Sequence, residues 1–291
     1  MATLRDIKRK IGAVKKTQSI TRAMNMVAAA KLRSTQVKME KFKSYSEKYK
    51  EIINRLTKLA PIEEEYPLLQ VREEIKKVHL VVIGADRGLC GAFNSNLITR
   101  VERFITDLKS KGQEAILTII GRKPRDYFRR RDVNIKAQYV GVVGKIDYIM
   151  ARRIATDVLS SFISGETDEA YVFFSKFVSM VRQEPTVERF LPIKPEVPAE
   201  GEVSIEYIYE PAPKIILEEL LPKSLNITLY SHILESEVAE HAARMRAMEN
   251  ATNNCKEMIN TLTLLFNKTR QAAITKELMD IVGGAEALRA R

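Results

Sequence analysis

Cysteine, histidine and tryptophan are scarce in this 291-residue chain, which has two Cys, three His and no Trp. Cys90 and Cys255 are too few for a disulfide framework or a four-cysteine zinc site. With only His79, His232 and His241 besides, dense metal chemistry is not expected. No run approaches the roughly 20 consecutive apolar residues that span a bilayer. The opening residues Met1-Ala2-Thr3-Leu4-Arg5-Asp6 lack the apolar segment and cleavage site of a secretory signal. Hydrophobic residues make 45% and charged residues 29%, a balance that belongs to folded chains rather than disordered ones. The expectation is a protein of the cytosolic side.

Glycine and proline are missing from two long windows. Neither occurs between Gly12 and Pro61, a stretch of 48 residues, nor between Pro222 and Gly283, a stretch of 60. Between the windows both are frequent. The flanks therefore read as helix and the middle as alternating strand and helix.

What is present in excess is positive charge, and it is concentrated. The net charge is +11, yet residues 1–60 alone hold 16 Lys and Arg against Asp6, Glu40, Glu47 and Glu51, a balance of +12. Such a concentration calls for an acidic partner: nucleic acid, an anionic membrane or an acidic protein surface. The plainer reading, a solvated helix face, stands beside it.

In the N-terminal flank Leu4, Ile7, Ile11 and Val14 recur at steps of three and four. The row drifts into Gln18 and Thr21 while Ile20, Met24, Val27 and Ala28 take over, and Met39, Phe42, Tyr45, Tyr49, Ile52 and Leu56 continue it. In the C-terminal flank Val238, Ala242, Met245, Thr252, Ile259, Leu262, Phe266, Thr269 and Ala273 form a similar seam. Helices of these lengths reach roughly 70–90 Å, whereas a domain of about 110 residues is only some 27 Å across. Neither stripe can be buried on the middle domain along its whole length. The two ends of the chain are expected to pair with each other as an antiparallel coiled coil.

The middle opens with the buried-strand run Val78–Ile83, followed by the turn Gly84-Ala85-Asp86-Arg87-Gly88-Leu89-Cys90-Gly91. A helix over Asn94–Lys111, a strand over Ala115–Ile120, a short basic helix over Arg122–Arg131 and a longer helix over Lys145–Ile163 follow. Tyr171–Phe177, Thr186–Leu191 and Val203–Tyr209 read as further strands, and Pro192–Glu202 as a loop. The fold class expected is α/β: a small Rossmann-like domain with a mostly parallel sheet, plus the long coiled coil. The divisions expected are an N-terminal coiled-coil helix over 1–60, a central α/β domain over 76–210 and a C-terminal coiled-coil helix over 212–286.

The glycine-rich turn is spaced G-x-x-x-G-x-x-G, without the second glycine that lets a backbone approach a pyrophosphate. Gly141-Val142-Val143-Gly144-Lys145-Ile146 likewise misses the phosphate-loop spacing and its terminal hydroxyl residue. Turns that simply need glycine explain both. Cys90 has no histidine close in sequence except His79, and Glu240 with His241 reads equally well as a solvated helix face. No catalytic, cofactor-binding or metal-binding residue is expected. The basic helix lacks any aromatic in its first 41 residues, unlike a nucleic-acid reader, and Ala28-Ala29-Ala30 is too smooth for membrane insertion. Small residues on a shaft suit sliding against an acidic protein surface.

Three motifs then carry a resemblance over essentially the whole chain. Thr17 to Arg33, reading TQSITRAMNMVAAAKLR, resembles the N-terminal helix of the gamma subunit family of F-type ATP synthases. Asp86-Arg87-Gly88-Leu89-Cys90-Gly91 followed by Asn94 resembles that family's hallmark turn. Glu240–Met248 and Asn267–Leu278 resemble its C-terminal signature. The resemblance implies a bacterial, non-catalytic rotary shaft without cofactor. It would sit inside a hexamer of alpha and beta subunits, against epsilon and the c-subunit ring, with delta in the same complex. It would touch the membrane only through that complex, at the cytoplasmic face of the plasma membrane, and would bind no nucleic acid.

By the same resemblance, Met24, Arg87 and Cys90 match positions near the acidic lever of beta. Arg244, Gln271, Thr275 and Glu277 match positions contacting its catch loop, and Tyr207, Tyr209 and Glu210 match the segment resting on the c ring. Asn25 stands where the family commonly has a charged residue. The alternatives are a basic coiled-coil adaptor for nucleic acid or membrane, and a nucleotide-using α/β enzyme.

Overall fold

Runs of β-branched and aromatic residues alternating with amphipathic ones build a five-stranded sheet. In the computed structural model, which describes residues 3–59, 66–194, 210 and 212–289, the strands are β1 (Lys77–Ile83), β2 (Glu114–Ile120), β3 (Asn134–Tyr139), β4 (Glu169–Phe177) and β5 (Gln183–Leu191). Their order is β3-β2-β1-β4-β5. The first four strands are parallel, and β5 returns antiparallel to β4. The helices are α1 (Leu4–Leu59), α2 (Phe93–Ser110), α3 (Arg122–Phe128), α4 (Tyr148–Ile163) and α5 (Pro213–Arg289). Their contacts group into two compact units: Met1–Ala28 with Met245–Arg291, and Ala29–Arg244.

The larger unit holds the sheet. After its first residue β1 is buried throughout, as a parallel strand covered on both faces must be. On one face Val78, Leu80, Val82, Leu117, Ile119 and Phe173 pack with Leu97, Val101 and Ile105 of α2 and Phe128 of α3. On the other, Val81, Ile83, Ile120, Val172 and Phe174 pack with Ile154, Val158 and Phe162 of α4 and Leu225, Leu229 and Ile233 of α5. Asp147 caps α4 by accepting from the Met150 N–H at 2.8 Å.

Strand β3 is a structural finding that the sequence does not suggest. Its segment Asn134-Ile135-Lys136-Ala137-Gln138-Tyr139 reads as polar because it lies at the sheet edge, where burial alternates between half-buried and exposed. The strand expected over Val203–Tyr209 and most of the loop Pro192–Glu202 lie outside the described residues.

Helix α5 begins before the proline-free window. It runs through Pro222, which has no N–H to offer the Glu218 carbonyl. The buried side chains of Leu217, Leu221 and Leu225 hold this turn in place, and the Tyr49 hydroxyl donates to the Leu220 carbonyl at 3.1 Å. Tertiary packing outweighs a local penalty of about 3 kcal/mol.

Within the smaller unit, burial along α1 steps through Leu4, Ile7, Ile11, Val14, Gln18, Thr21, Asn25 and Ala28. Along α5 it steps through Met245, Met248, Thr252, Cys255, Ile259, Leu262, Phe266, Thr269 and Ala273. Both rows alternate steps of three and four, the period of about 3.5 that winds a left-handed two-helix seam. The handover to Ile20 and Val27 does not occur: these are 59% and 58% exposed, and the seam passes straight through polar side chains. The reason is partnering. Thr21 and Thr252 share a hydroxyl–hydroxyl bond of 2.8 Å, and Asn25 donates to the Met245 carbonyl at 2.8 Å. Rising numbers on α1 meet falling numbers on α5, so the pair is antiparallel. Thr3 and Asp6 close the start of α1, the Thr3 hydroxyl donating to the carboxylate at 2.7 Å while accepting the Asp6 N–H.

In the larger unit the two helices are antiparallel by the same criterion. Thr35 donates to Glu237 at 3.3 Å, Phe42 meets Tyr230 edge-on at 4.8 Å, and Tyr49 reaches Leu220. Here Tyr45 and Ile52 face outward, and Ser46 and Ile53 take the seam positions expected for them.

One core group makes stability pH-dependent. His79 on β1 is buried, with Nε2 at 2.8 Å from the Thr118 hydroxyl. Burial, with Lys136 adding to it, lowers its pKa from 6.5 to about 4. The unfolded chain therefore binds the extra proton first. Stability from this group is complete above pH 6.5 and is lost as pH falls through 4, by about 3 kcal/mol in all. A His79→Gln variant is expected to flatten the fall in urea-unfolding free energy between those pH values.

Candidate functional site: the turn after β1 and the helix seam

Strand β1 lies where the sheet order reverses, between β2 and β4. Open α/β sheets hold ligands beyond the carboxyl ends of the strands at such a point. Here the chain fills that crevice with its own C-terminal helix. The Ser236 hydroxyl donates to the Ile83 carbonyl at 3.3 Å. What remains is a cavity of about 10 Å³ lined by residues including Gly84, Gly144, Ile233 and Glu237. That is one water at most, against the ~300 Å³ or more of a small-molecule pocket.

The anion position is filled as well. The Asp86 carboxylate accepts the backbone N–H groups of Arg122 at 2.9 Å, Gly141 at 2.8 Å and Val143 at 3.0 Å. The N-terminus of α3 and the Gly141–Gly144 turn, the places where a phosphate could be cradled, thus close on a carboxylate of the chain itself. Both glycine-rich segments are structural turns.

Two close approaches fix the start of the turn. A Cβ on Gly121, whose φ is +107°, would lie 2.4 Å from the Gly84 carbonyl oxygen. A Cβ on Gly84 would lie 2.9 Å from the Pro124 ring. Asn94 at the start of α2 accepts the Ala85 N–H at 3.0 Å and donates to the Cys90 sulfur at 3.2 Å. Cys90 is buried with Ala85, Phe93, Ala239 and Ala243. That burial pushes its thiol pKa up, against the pull of the Arg244 charge. It is a poor nucleophile and a packing residue.

Arg244 ties the turn to α5. Its guanidinium pairs with Glu240 at 2.6 Å and donates to the carbonyls of Arg87 and Gly88, each at 3.4 Å. Its other terminal nitrogen lies 3.5 Å from His241 Nδ1. The pair is largely desolvated, the side chains being 12% and 7% exposed. Leu89 stands out of this anchored turn at a φ of +62° and is 63% exposed.

Of the residues singled out in the sequence, the fold brings Arg87, Cys90 and Arg244 together: Arg87 exposed, Cys90 inside, Arg244 bridging from α5. Met24 is half-buried beside the seam of the smaller unit. Gln271, Thr275 and Glu277 are exposed on α5, and beyond Ala273 that helix exposes Ile274, Leu278, Met279, Ile281 and Val282. Glu210 is exposed, while Tyr207 and Tyr209 lie outside the described residues. Sequence reasoning misses Asp86 as the organising carboxylate and Glu240 as the partner of Arg244. The second is readable from the i, i+4 spacing of opposite charges. The first is not, because its three donors come from residues 36 to 57 positions away.

A family model described as ATP synthase matches residues 3–288. The ATP synthase gamma chain of Syntrophobacter fumaroxidans is 52% identical, over 99% of this chain and 100% of its own length. The chain belongs to the ATP synthase gamma family. The gamma chain of Nitratidesulfovibrio vulgaris (strain Miyazaki F) is 46% identical over 99% of this chain and 100% of its own. The gamma-family fold extends to distant solved structures. A chain of the Euglena gracilis mitochondrial ATP synthase superposes with a TM-score of 0.68 at 20% identity, covering 99% of this chain and 95% of that one. A chain from the central stalk and c ring of the Tetrahymena thermophila mitochondrial enzyme gives 0.59 at 23%, covering 80% and 99%.

Proposed function

We propose that this gamma-family chain is the central rotary shaft of an F-type ATP synthase, coupling ion flow through the membrane ring to conformational change at catalytic sites on other subunits. It is a non-catalytic part of the complex. The observation that carries the reading is the antiparallel two-helix seam with its period of about 3.5. Two paired helices resist bending and twisting better than one. Their two sequences also present unlike faces around the axis. A shaft biases a neighbouring site only by contacting its conformations differently, and unlike faces supply that difference where a symmetric rod cannot.

The finer assignments follow from the resemblance. The seam is taken to run inside the alpha–beta hexamer, with the basic face of α1 turned to acidic segments of beta. Exposed charges there, each pair worth little in water and salt, guide rotation without deep locking. The central domain, over 76–210, is assigned to epsilon and the c ring, with delta elsewhere in the complex. Met24 and Arg87 are assigned to the acidic lever of beta, with Cys90 holding the turn from inside. Arg244, Gln271, Thr275 and Glu277 are assigned to the catch loop, Arg244 through the turn it anchors. Tyr207, Tyr209 and Glu210 are assigned to the c ring. No helix among the described residues is long and apolar enough to cross a membrane. Attachment at the cytoplasmic face of a bacterial plasma membrane then runs through the complex.

Copurification tests the role directly: the chain should recover alpha and beta with one copy per hexamer, and its failure to do so removes the shaft reading. Met24→Lys is expected to leave assembly intact and to lower the proton pumping obtained per ATP hydrolysed in reconstituted vesicles. Full coupling in that variant would remove Met24 from the contact.

A further inference from the structure

The packing of the larger unit leaves one space open. A cavity of about 170 Å³ lies between α1, α5 and β5, lined by residues that include Lys50, Ile53, Phe190, Lys194, Leu225 and Thr228. Protein interiors seldom hold a void larger than a water molecule. The cause is in the sequence of α5. Leu217, Leu221 and Leu225 fill one row of that helix, whereas the adjacent row carries the short hydroxyl side chains of Ser224 and Thr228, and these border the open space.

The cavity has a dry floor and a charged mouth. Ile53, Phe190 and Leu225 are buried, at 4%, 3% and 3% exposure, while Lys50 and Lys194 are exposed. Glu188 also lines the space, but its carboxylate is already served. His232 Nε2 lies 3.2 Å from it, and that hydrogen bond, with the charges of Lys50 and Lys176 behind it, holds the carboxyl below the usual carboxylate range. The Arg189 guanidinium is spent on Glu169 at 2.5 Å and on the Tyr171 hydroxyl at 3.2 Å. Lys194 has no acidic partner among the described residues, so one positive charge is in excess. The half-buried Thr228 hydroxyl likewise has no hydrogen-bond partner among the described residues.

Size and charge together select the occupant. A volume of about 170 Å³ exceeds the ~150 Å³ that accepts a benzene ring and falls short of the ~300 Å³ of a drug-sized site. An inorganic anion would leave the apolar floor uncovered. A hydrocarbon would leave the excess charge and the Thr228 donor unanswered. A ring-sized body that carries one carboxylate meets both demands, its apolar part on Ile53, Phe190 and Leu225 and its charge turned to the lysines at the mouth. Because α1, β5 and α5 each supply part of the wall, an occupant holds the three elements together and favours the folded larger unit by mass action.

We propose that this cavity is a binding site for a small organic monoanion, a carboxylate on an apolar body of about the size of one ring. The site is independent of the shaft reading and is tested on the full chain alone. The probe is para-fluorobenzoate followed by fluorine NMR, with para-fluorobenzamide as the same body without charge and inorganic phosphate as a competitor without the body. Fluorobenzoate should bind saturably, more tightly than the amide, and phosphate at equal concentration should not displace it. Lys194→Gln, a change at an exposed position, should weaken binding about two- to fivefold, the range one exposed ion pair supplies. Thr228→Phe, which fills the space, should abolish binding in a chain that urea unfolding shows to be folded. Fluorobenzoate that does not saturate, or that binds the folded Thr228→Phe chain as well as the parent, overturns the site. Equal affinity for the amide, displacement by phosphate, or indifference to Lys194→Gln overturns it too.

Discussion

Replacing Gly121 with alanine is expected to destabilise the larger unit by about 4 kcal/mol, or to abolish folding. The added Cβ would stand 2.4 Å from the Gly84 oxygen and 2.7 Å from its carbonyl carbon. Both are backbone atoms at the end of β1, so no side chain can rotate out of the way. The residue also has a φ of +107°, a region closed to alanine without strain. Relief requires β1 and β2 to part where the Gly84 N–H bonds the Ile120 carbonyl at 2.9 Å. Gly112 provides the control. Its φ is +72°, but a Cβ added there would meet nothing within 4 Å, so Gly112→Ala should cost only the conformational term of about 1 kcal/mol. Urea unfolding of the full chain should show a large drop in midpoint for the first variant and a small one for the second, with slopes unchanged.

Arg244→Ala is expected to cost about 3–5 kcal/mol, the range for removing one partner of a buried ion pair. The loss exceeds the value of the pair itself because Glu240, 7% exposed, is left with its charge uncompensated. The carbonyls of Arg87 and Gly88 lose their donor as well. Arg244→Lys should fall between, since an ammonium cannot serve Glu240 and two turn carbonyls with a planar fork. Arg244→Met combined with Glu240→Leu should recover most of the loss, because no buried charge then remains. A thermodynamic cycle of the two singles and the double measures this. Equal destabilisation in double and single variants would show that the turn carbonyls, not the carboxylate, carry the effect.

Much of the fold is legible in the sequence because two signals are strong. The long windows without glycine or proline announce both terminal helices, and the run Val78–Ile83 announces a central parallel strand. Strand β3 is invisible because an edge strand need not be apolar on both faces. The course of the seam between Ile20 and Val27 escapes for a related reason. Apolar periodicity follows hydrophobic residues, whereas the true seam follows whichever side chains find partners, and Thr21 and Asn25 find theirs on α5. Pro222 on its own reads as a helix stop, and burial of its neighbours Leu217, Leu221 and Leu225 overrides that local signal. At the site, the hallmark turn is plain from its residues. The role of Asp86 depends on donors contributed by α3 and the loop after β3, and no local pattern reports such a convergence.

The polar step in the helix seam acts as a key in a slot. A hydroxyl pair of 2.8 Å and an amide-to-carbonyl bond of 2.8 Å are satisfied in only one axial alignment, whereas methyl groups would tolerate a slide by one heptad. Slippage would strand these groups against hydrocarbon at a cost of about 1–3 kcal/mol each. Twist applied to this stretch of the pair is handed on as rotation instead of being dissipated as creep between its two strands.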